Sequence, residues 1–144
     1  VSWTERTTAL APSDAGASDY WDGAAGGGQG AVYVYDWSGS AWVERTTALT
    51  ASDAGASDYF GASCALSADG TVLAVGAMLW DGAAGSDQGA VYVFDWNGSS
   101  WTERITALAP SDAGGNEYFG SGCALSADGC GGERLFRLWL RSLR

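Results

Sequence analysis

The sequence predicts an all-β chain assembled from repeated sheet units, and three observations carry that reading. One long period relates residues 30–42, GAVYVYDWSGSAW, to residues 89–101, GAVYVFDWNGSSW, and it holds through the segments behind each. Apolar runs last four to eight residues between turn signals, which suits strands better than helices. The 144 residues include 22 glycines, and these, with a steady supply of Ser, Thr, Asp and Asn, disfavour helix and favour turns. A period longer than one hairpin and filled with strand-like runs marks a repeat architecture, in which one unit is not expected to bury its apolar faces alone.

Counted from Trp42, the complete unit is 42–100, preceded by a degenerate unit, 1–41, and followed by a truncated one, 101–129, and an atypical basic tail, 130–144. In the complete unit, residues 42–49 mix Glu44, Arg45, Thr46 and Thr47 with Val43 and Leu49, the composition of a half-exposed outer strand. Residues 50–58 are polar and turn-rich. A short strand at 59–67 leads through the tight-turn pair Asp69-Gly70 into residues 71–77, which are apolar or small on both faces, as in a strand covered on both sides. A Gly, Ser and Asp loop covers 81–88, and residues 89–96 form the fourth strand, closed by Asn97-Gly98. Four short antiparallel strands per repeat is the layout of a β-propeller blade.

The flanking units break this pattern. Residues 3–20 match 42–59, yet Trp21-Asp22-Gly23 matches Trp80-Asp81-Gly82, so residues 60–79 have no counterpart in the first unit. That segment holds the two middle strands of the counted unit, and its loss is expected to stop the outer strands from pairing in the same register. The third unit follows the second to Gly129 and then changes composition, ending in LFRLWLRSLR. That tail has the makings of a short basic amphipathic helix, marginal alone; a shifted reading frame or misplaced splice boundary also generates such a change.

Residues 1–129 carry 16 acidic groups and 3 arginines, with no Lys or His, a net charge of −13. Such a surface repels nucleic acid and anionic lipid. Residues 1–144 include no basic and apolar signal stretch, which leaves room for one upstream of Val1, and no apolar run approaches the roughly 20 residues of a membrane span. Cys64 and Cys123 occupy equivalent positions and read as two small buried hydrophobes; equivalence across repeats does not bring them within disulfide reach.

Phe60-Gly61, then Ser63, Ala65-Leu66-Ser67, Asp69-Gly70 and Leu73-Ala74-Val75-Gly76-Ala77 resemble the FG-GAP repeat family, whose members form the blades of the integrin-alpha type β-propeller and occur in bacterial and algal surface or secreted proteins. Phe60-Gly61 corresponds to the FG; Gly76-Ala77 begins the GAP, with Met78 in place of the usual proline. The third unit keeps Phe119-Gly120 and loses its GAP. The strand at 88–94 also suits the bacterial-type variant. The resemblance implies an incomplete β-propeller, extracellular or cell-surface display, adhesion or ligand binding through loops, and in some members calcium held in a loop.

Candidate sites follow from chemistry. Calcium needs several oxygen ligands at alternating positions around a turn; of the family's D-x-D-x-D-G run the chain keeps Asp69-Gly70 and Asp128-Gly129, so Asp69 and Asp128 are the metal candidates, with the turn role of Asp-Gly as the competing reading. Asp53 with Asp58, repeated as Asp14 with Asp19 and Asp112 with Glu117, could line a rim that collects cations or simply cap turns. Recurring aromatics (Trp3, Trp42 and Trp101; Trp37 and Trp96; Trp21 and Trp80; Tyr20, Tyr59 and Tyr118) offer sugar platforms or pack unit against unit. Catalysis finds little: no His or Lys exists, the cysteines lack an imidazole partner, and repeated acids argue against a singular carboxylate pair. No phosphate-cradling glycine fingerprint stands between a strand and a helix. The expectation is a structural or ligand-binding repeat module, not an enzyme and without a cofactor, whose partners are further blades of a longer parent, copies of itself, or a protein or glycan ligand. A carbohydrate-binding or carbohydrate-active propeller protein is the alternative.

Overall fold

The computed structural model of the chain describes residues 26–125 and 135–137, with no helix among them. Eight strands occur in chain order: β1 (Tyr35–Trp37), β2 (Trp42–Glu44), β3 (Phe60–Leu66), β4 (Val72–Ala77), β5 (Ala90–Trp96), β6 (Trp101–Leu108), β7 (Cys123–Leu125) and β8 (Leu135–Arg137). They form a β1–β2 pair, a four-stranded sheet in the order β3-β4-β5-β6, and a β7–β8 pair, every pairing antiparallel.

Burial follows the side chains. All six residues of β4 are buried, as are the first five of β5, so the two inner strands of the sheet are covered on both faces. The turn between Ser67 and Thr71, closed by the Gly70 amide on the Ser67 carbonyl, reverses the chain between β3 and β4. One core joins Phe60, Leu73, Val75, Ala77, Tyr92 and Phe94 of the sheet to Val32 and Val34 ahead of β1 and Ala51 behind β2. Phe60 meets the Tyr92 and Phe94 rings edge-on at 5.5 and 6.0 Å, the geometry that the ring quadrupoles favour.

The sheet runs out of phase with the sequence period counted from Trp42. Trp42–Glu44 pairs back with β1, whereas its equivalent one period on begins β6, the outer strand of the sheet. A sequence period has no intrinsic starting point; hydrogen bonding chooses one.

That choice alters the consequence of the deletion in the first unit. The lost segment corresponds to β3 and β4, which lie side by side at one edge of the sheet and not between the strands that remain. Tyr35↔Glu44, Asp36↔Val43 and Trp37↔Trp42 therefore keep the register of Phe94↔Glu103, Asp95↔Thr102 and Trp96↔Trp101. The Val32↔Leu49 bridge likewise reproduces Val91↔Leu108. The other outer strand of the first unit, which begins at Trp3, lies outside the described residues.

Two further expectations change. Cys64 is exposed and Cys123 half-buried, because the strands that would cover the Cys64 face are the missing ones. The tail contributes a strand, not a helix, over Leu135–Arg137; its pairing Cys123↔Arg137, Ala124↔Phe136, Leu125↔Leu135 copies Cys64↔Val75, Ala65↔Ala74, Leu66↔Leu73. No helix among the described residues is long and apolar enough to cross a membrane.

Candidate functional site

The motif residues come together where one unit meets the next. Gly61 and Gly120 have φ of 93° and 85°, values that an L side chain adopts only under strain. Gly61 stands at the irregular start of β3, where the β3–β4 register shifts between Phe60 and Ser63. Gly76 has an ordinary φ but no room, since a Cβ there would run into the Gly120 carbonyl oxygen and the Ser63 hydroxyl. The hydroxyl of Ser63 donates to that same carbonyl at 2.7 Å and lies 3.2 Å from Cys123 Sγ. Burial pushes the Cys123 thiol up. The two halves of the motif thus touch across a junction: Gly76 of one unit against Gly120 of the next.

A ladder of backbone bonds repeats beside each junction. Ser57, Tyr59 and Phe60 donate to the carbonyls of Gly27, Gly28 and Gln29 at 2.9, 3.0 and 2.9 Å; Asn116, Tyr118 and Phe119 donate to Ser86, Asp87 and Gln88 at 2.8, 3.1 and 3.0 Å. Tyr59 and Tyr118 both take φ of 53° to aim consecutive amides at the neighbour. Such left-handed residues cost free energy, and their recurrence ties the strain to unit-to-unit attachment.

Carboxylates and aromatics serve the same attachment. The Tyr92 hydroxyl donates to Asp53 at 2.8 Å, and Ser52 donates through its amide and hydroxyl to Glu103 at 3.0 and 2.9 Å, fastening the connector ahead of β3 onto the sheet. Burial, then the Asp53 bond and charge, holds the Tyr92 hydroxyl far above its usual range, so it stays a neutral donor. Asp58 is buried and accepts the Gly55 amide at 2.7 Å. Burial, with Asp81 and Asp53 nearby, raises its pKa against that bond. Arg45 donates to Asp36 at 2.8 Å and to the Gly70 carbonyl at 2.7 Å, and its guanidinium stands 5.0 and 5.5 Å from the Trp96 and Trp101 ring centres. It bridges the first pair to the central sheet and occupies the aromatic face that a sugar would need. The side-chain bond from Arg45 also lowers the pKa of Asp36. Sequence reasoning treated Arg45 only as part of an outer strand, although its recurrence at Arg6 and Arg104 was visible.

Of the two calcium candidates, Asp69 lies among the described residues. Asp69 Oδ1 accepts the Ser67 hydroxyl at 2.6 Å and the Thr71 amide and hydroxyl at 3.0 and 2.8 Å. These bonds, Ser67 foremost, hold its pKa below the usual value. One carboxylate already engaged by three donors does not fit the several-oxygen shell of calcium, and no cluster of three metal-ligating side chains occurs among the described residues. Asp128, and the Asp14, Asp19, Trp3, Tyr20 and Trp21 equivalents, lie outside the described residues.

Residues 42–94 match the family model of the FG-GAP repeat. Phe60, Gly61, Gly76 and Ala77 fall inside that match, and Phe119 and Gly120 occupy the next repeat's FG positions. No curated protein matches the chain.

Proposed function

We propose that this FG-GAP repeat chain is a structural or ligand-binding module of a surface or secreted protein, built of β-propeller blades and without catalytic activity. The observation that carries the reading is the junction: the same FG glycine, the same left-handed tyrosine and the same three backbone bonds recur at both unit boundaries. Side chains with chemical potential are spent on attachment. Tyr92, Asp53, Ser52 and Glu103 fix the connector, Arg45 covers the Trp96 and Trp101 faces, and Asp69 closes a turn. This leaves the acidic loops as the surface that meets a ligand, and their charge favours a cationic or neutral one. Further blades, from a longer parent or from other copies, are the structural partners. Antibody labelling of intact and permeabilised source cells, with the culture medium assayed in parallel, tests the location. Signal on intact cells or in the medium is the expected result, and signal confined to permeabilised cells overturns it.

A further inference from the structure

We propose that Asn97-Gly98, at the tip of the β5–β6 hairpin, is a self-modifying site, at which the Asn97 side chain closes on the Gly98 amide, loses ammonia and becomes aspartate or isoaspartate. Three observations set this pair apart. Residues 97–100 are all exposed, and a Cβ at Gly98 would meet nothing within 4 Å, so the attacking nitrogen is open to approach. Among the described residues no carbonyl accepts the Gly98 amide, whereas in Asp69-Gly70 the Gly70 amide donates to the Ser67 carbonyl at 2.9 Å. Asp81-Gly82 is closed in a different way, since a Cβ at Gly82 would run into Gln88 and Trp80. Finally, the turn does not need an asparagine. The matching β1–β2 hairpin turns at Ser38-Gly39, with φ of 97° at Gly39 against 99° at Gly98, and there a serine hydroxyl accepts the Ala41 amide at 3.0 Å.

The hydrogen bonds around Asn97 are those the reaction uses. Its Oδ1 accepts the Ser99 amide and hydroxyl, both at 3.0 Å, and the Ser100 amide at 2.9 Å. When the Gly98 nitrogen gives its proton to solvent and bonds to Cγ, negative charge moves onto Oδ1, where donors already point, the arrangement that stabilises an oxyanion. The Cγ–Nδ2 bond then breaks. Nδ2, which donates to the Ser100 hydroxyl at 3.0 Å, takes up a proton and leaves as ammonia. Water opens the resulting cyclic imide, and no other co-reactant is needed. Addition at Cγ gives aspartate, whose carboxylate keeps the same donors, as Asp69 keeps Ser67 and Thr71. Addition at the backbone carbonyl gives isoaspartate, whose main chain runs through Cγ and is longer by a carbon. That extra length falls directly after Trp96, whose ring stands 5.3 Å from the Trp101 ring and shares the Arg45 guanidinium with it. Isoaspartate therefore loosens the attachment of β1–β2 to the central sheet.

The 144-residue chain, incubated in neutral buffer beside a sample unfolded in guanidinium chloride, is mapped by peptide mass spectrometry, with isoaspartate scored by enzymatic methylation. Conversion at Asn97 should occur in both samples and run faster in the folded one, while Asn116, followed by Glu117 and not by glycine, stays an amide. Ser99→Ala removes one of the three donors to Oδ1 and should slow the folded chain about fivefold, the factor for one ordinary hydrogen bond, without changing the unfolded rate. Asn97→Ser, which copies the Ser38 turn, should abolish conversion and keep the denaturation midpoint. The isoaspartate fraction, separated by its added negative charge, should show red-shifted tryptophan emission. An Asn97 that persists in the folded chain, a faster rate in the unfolded sample, or a Ser99→Ala rate equal to the parent's overturns the proposal; parent-like emission from isolated isoaspartate chains overturns the loosening at Arg45.

Discussion

Replacing Gly76 by alanine isolates the junction from ordinary backbone effects. The φ of Gly76 is outside the left-handed region, so alanine would normally stabilise a strand position by about 0.5–1 kcal/mol. Here the new Cβ meets the Gly120 carbonyl and the Ser63 hydroxyl. Overpacking of this kind costs about 1–3 kcal/mol, and displacing the Ser63 to Gly120 hydrogen bond removes about 1 kcal/mol more. The net expectation is a loss of about 2 kcal/mol, opposite in sign to the generic effect. Urea unfolding followed by tryptophan fluorescence reads it as a lower midpoint at constant slope. Hydrogen exchange should show the loss first at Cys123–Leu125, while β4 and β5 keep their protection. A Gly76→Ala chain as stable as the parent, or more so, would refute close contact between the two motif halves.

Phe60→Ala removes a 2% exposed ring packed on Tyr92 and Phe94 and should cost about 3–5 kcal/mol in the same urea assay; a loss below about 1 kcal/mol would place Phe60 outside the core. Asp58 has a raised folded pKa, so its favourable contribution is complete below the unfolded value of 3.8 and is lost as pH rises through the folded value. Asp58→Asn, which keeps an acceptor for Gly55, should therefore raise the thermal midpoint at pH 7 and lose that advantage near pH 3; an advantage independent of pH would contradict the assignment. Arg45→Ala should cost about 2 kcal/mol, mostly from the Gly70 bond and the two ring contacts, since Asp36 is half exposed and its ion pair adds little. Trp96 and Trp101 emission should shift to the red on this substitution, and an unchanged spectrum would argue against the stacking.

The strands of the central sheet were readable because their side chains are self-sufficient signals: Val72 to Val75 are apolar on both faces, and Asp69-Gly70 supplies the turn. The sheet's starting point was not readable, since any phase of the repeat fits the sequence equally until hydrogen bonds select β3 as the edge. Repeat equivalence gave Cys64 and Cys123 the same expected burial. Burial depends on what stands opposite, and only Cys123 has a sheet behind it. The Phe-Gly and Gly-Ala residues were legible as a family pattern, but the reason Gly76 must lack a side chain lies in the following unit, at Gly120. β8 was hidden because Leu135–Arg137 owes its strand to the register of β7 and to nothing in its own arginine-rich pattern.

Because the junction between the second and third units sets Gly76 of one against Gly120 of the other, copy number can change without redesign. Excising one full period, wherever the cut begins, rejoins an equivalent glycine to an equivalent glycine, and duplicating one adds a junction of the same kind. Excising only part of a period, as the first unit has lost its counterpart of 60–79, does something else: it removes the Gly76 equivalent ahead of Gly61. Gene rearrangements in whole periods thus keep this glycine contact, and all others break it.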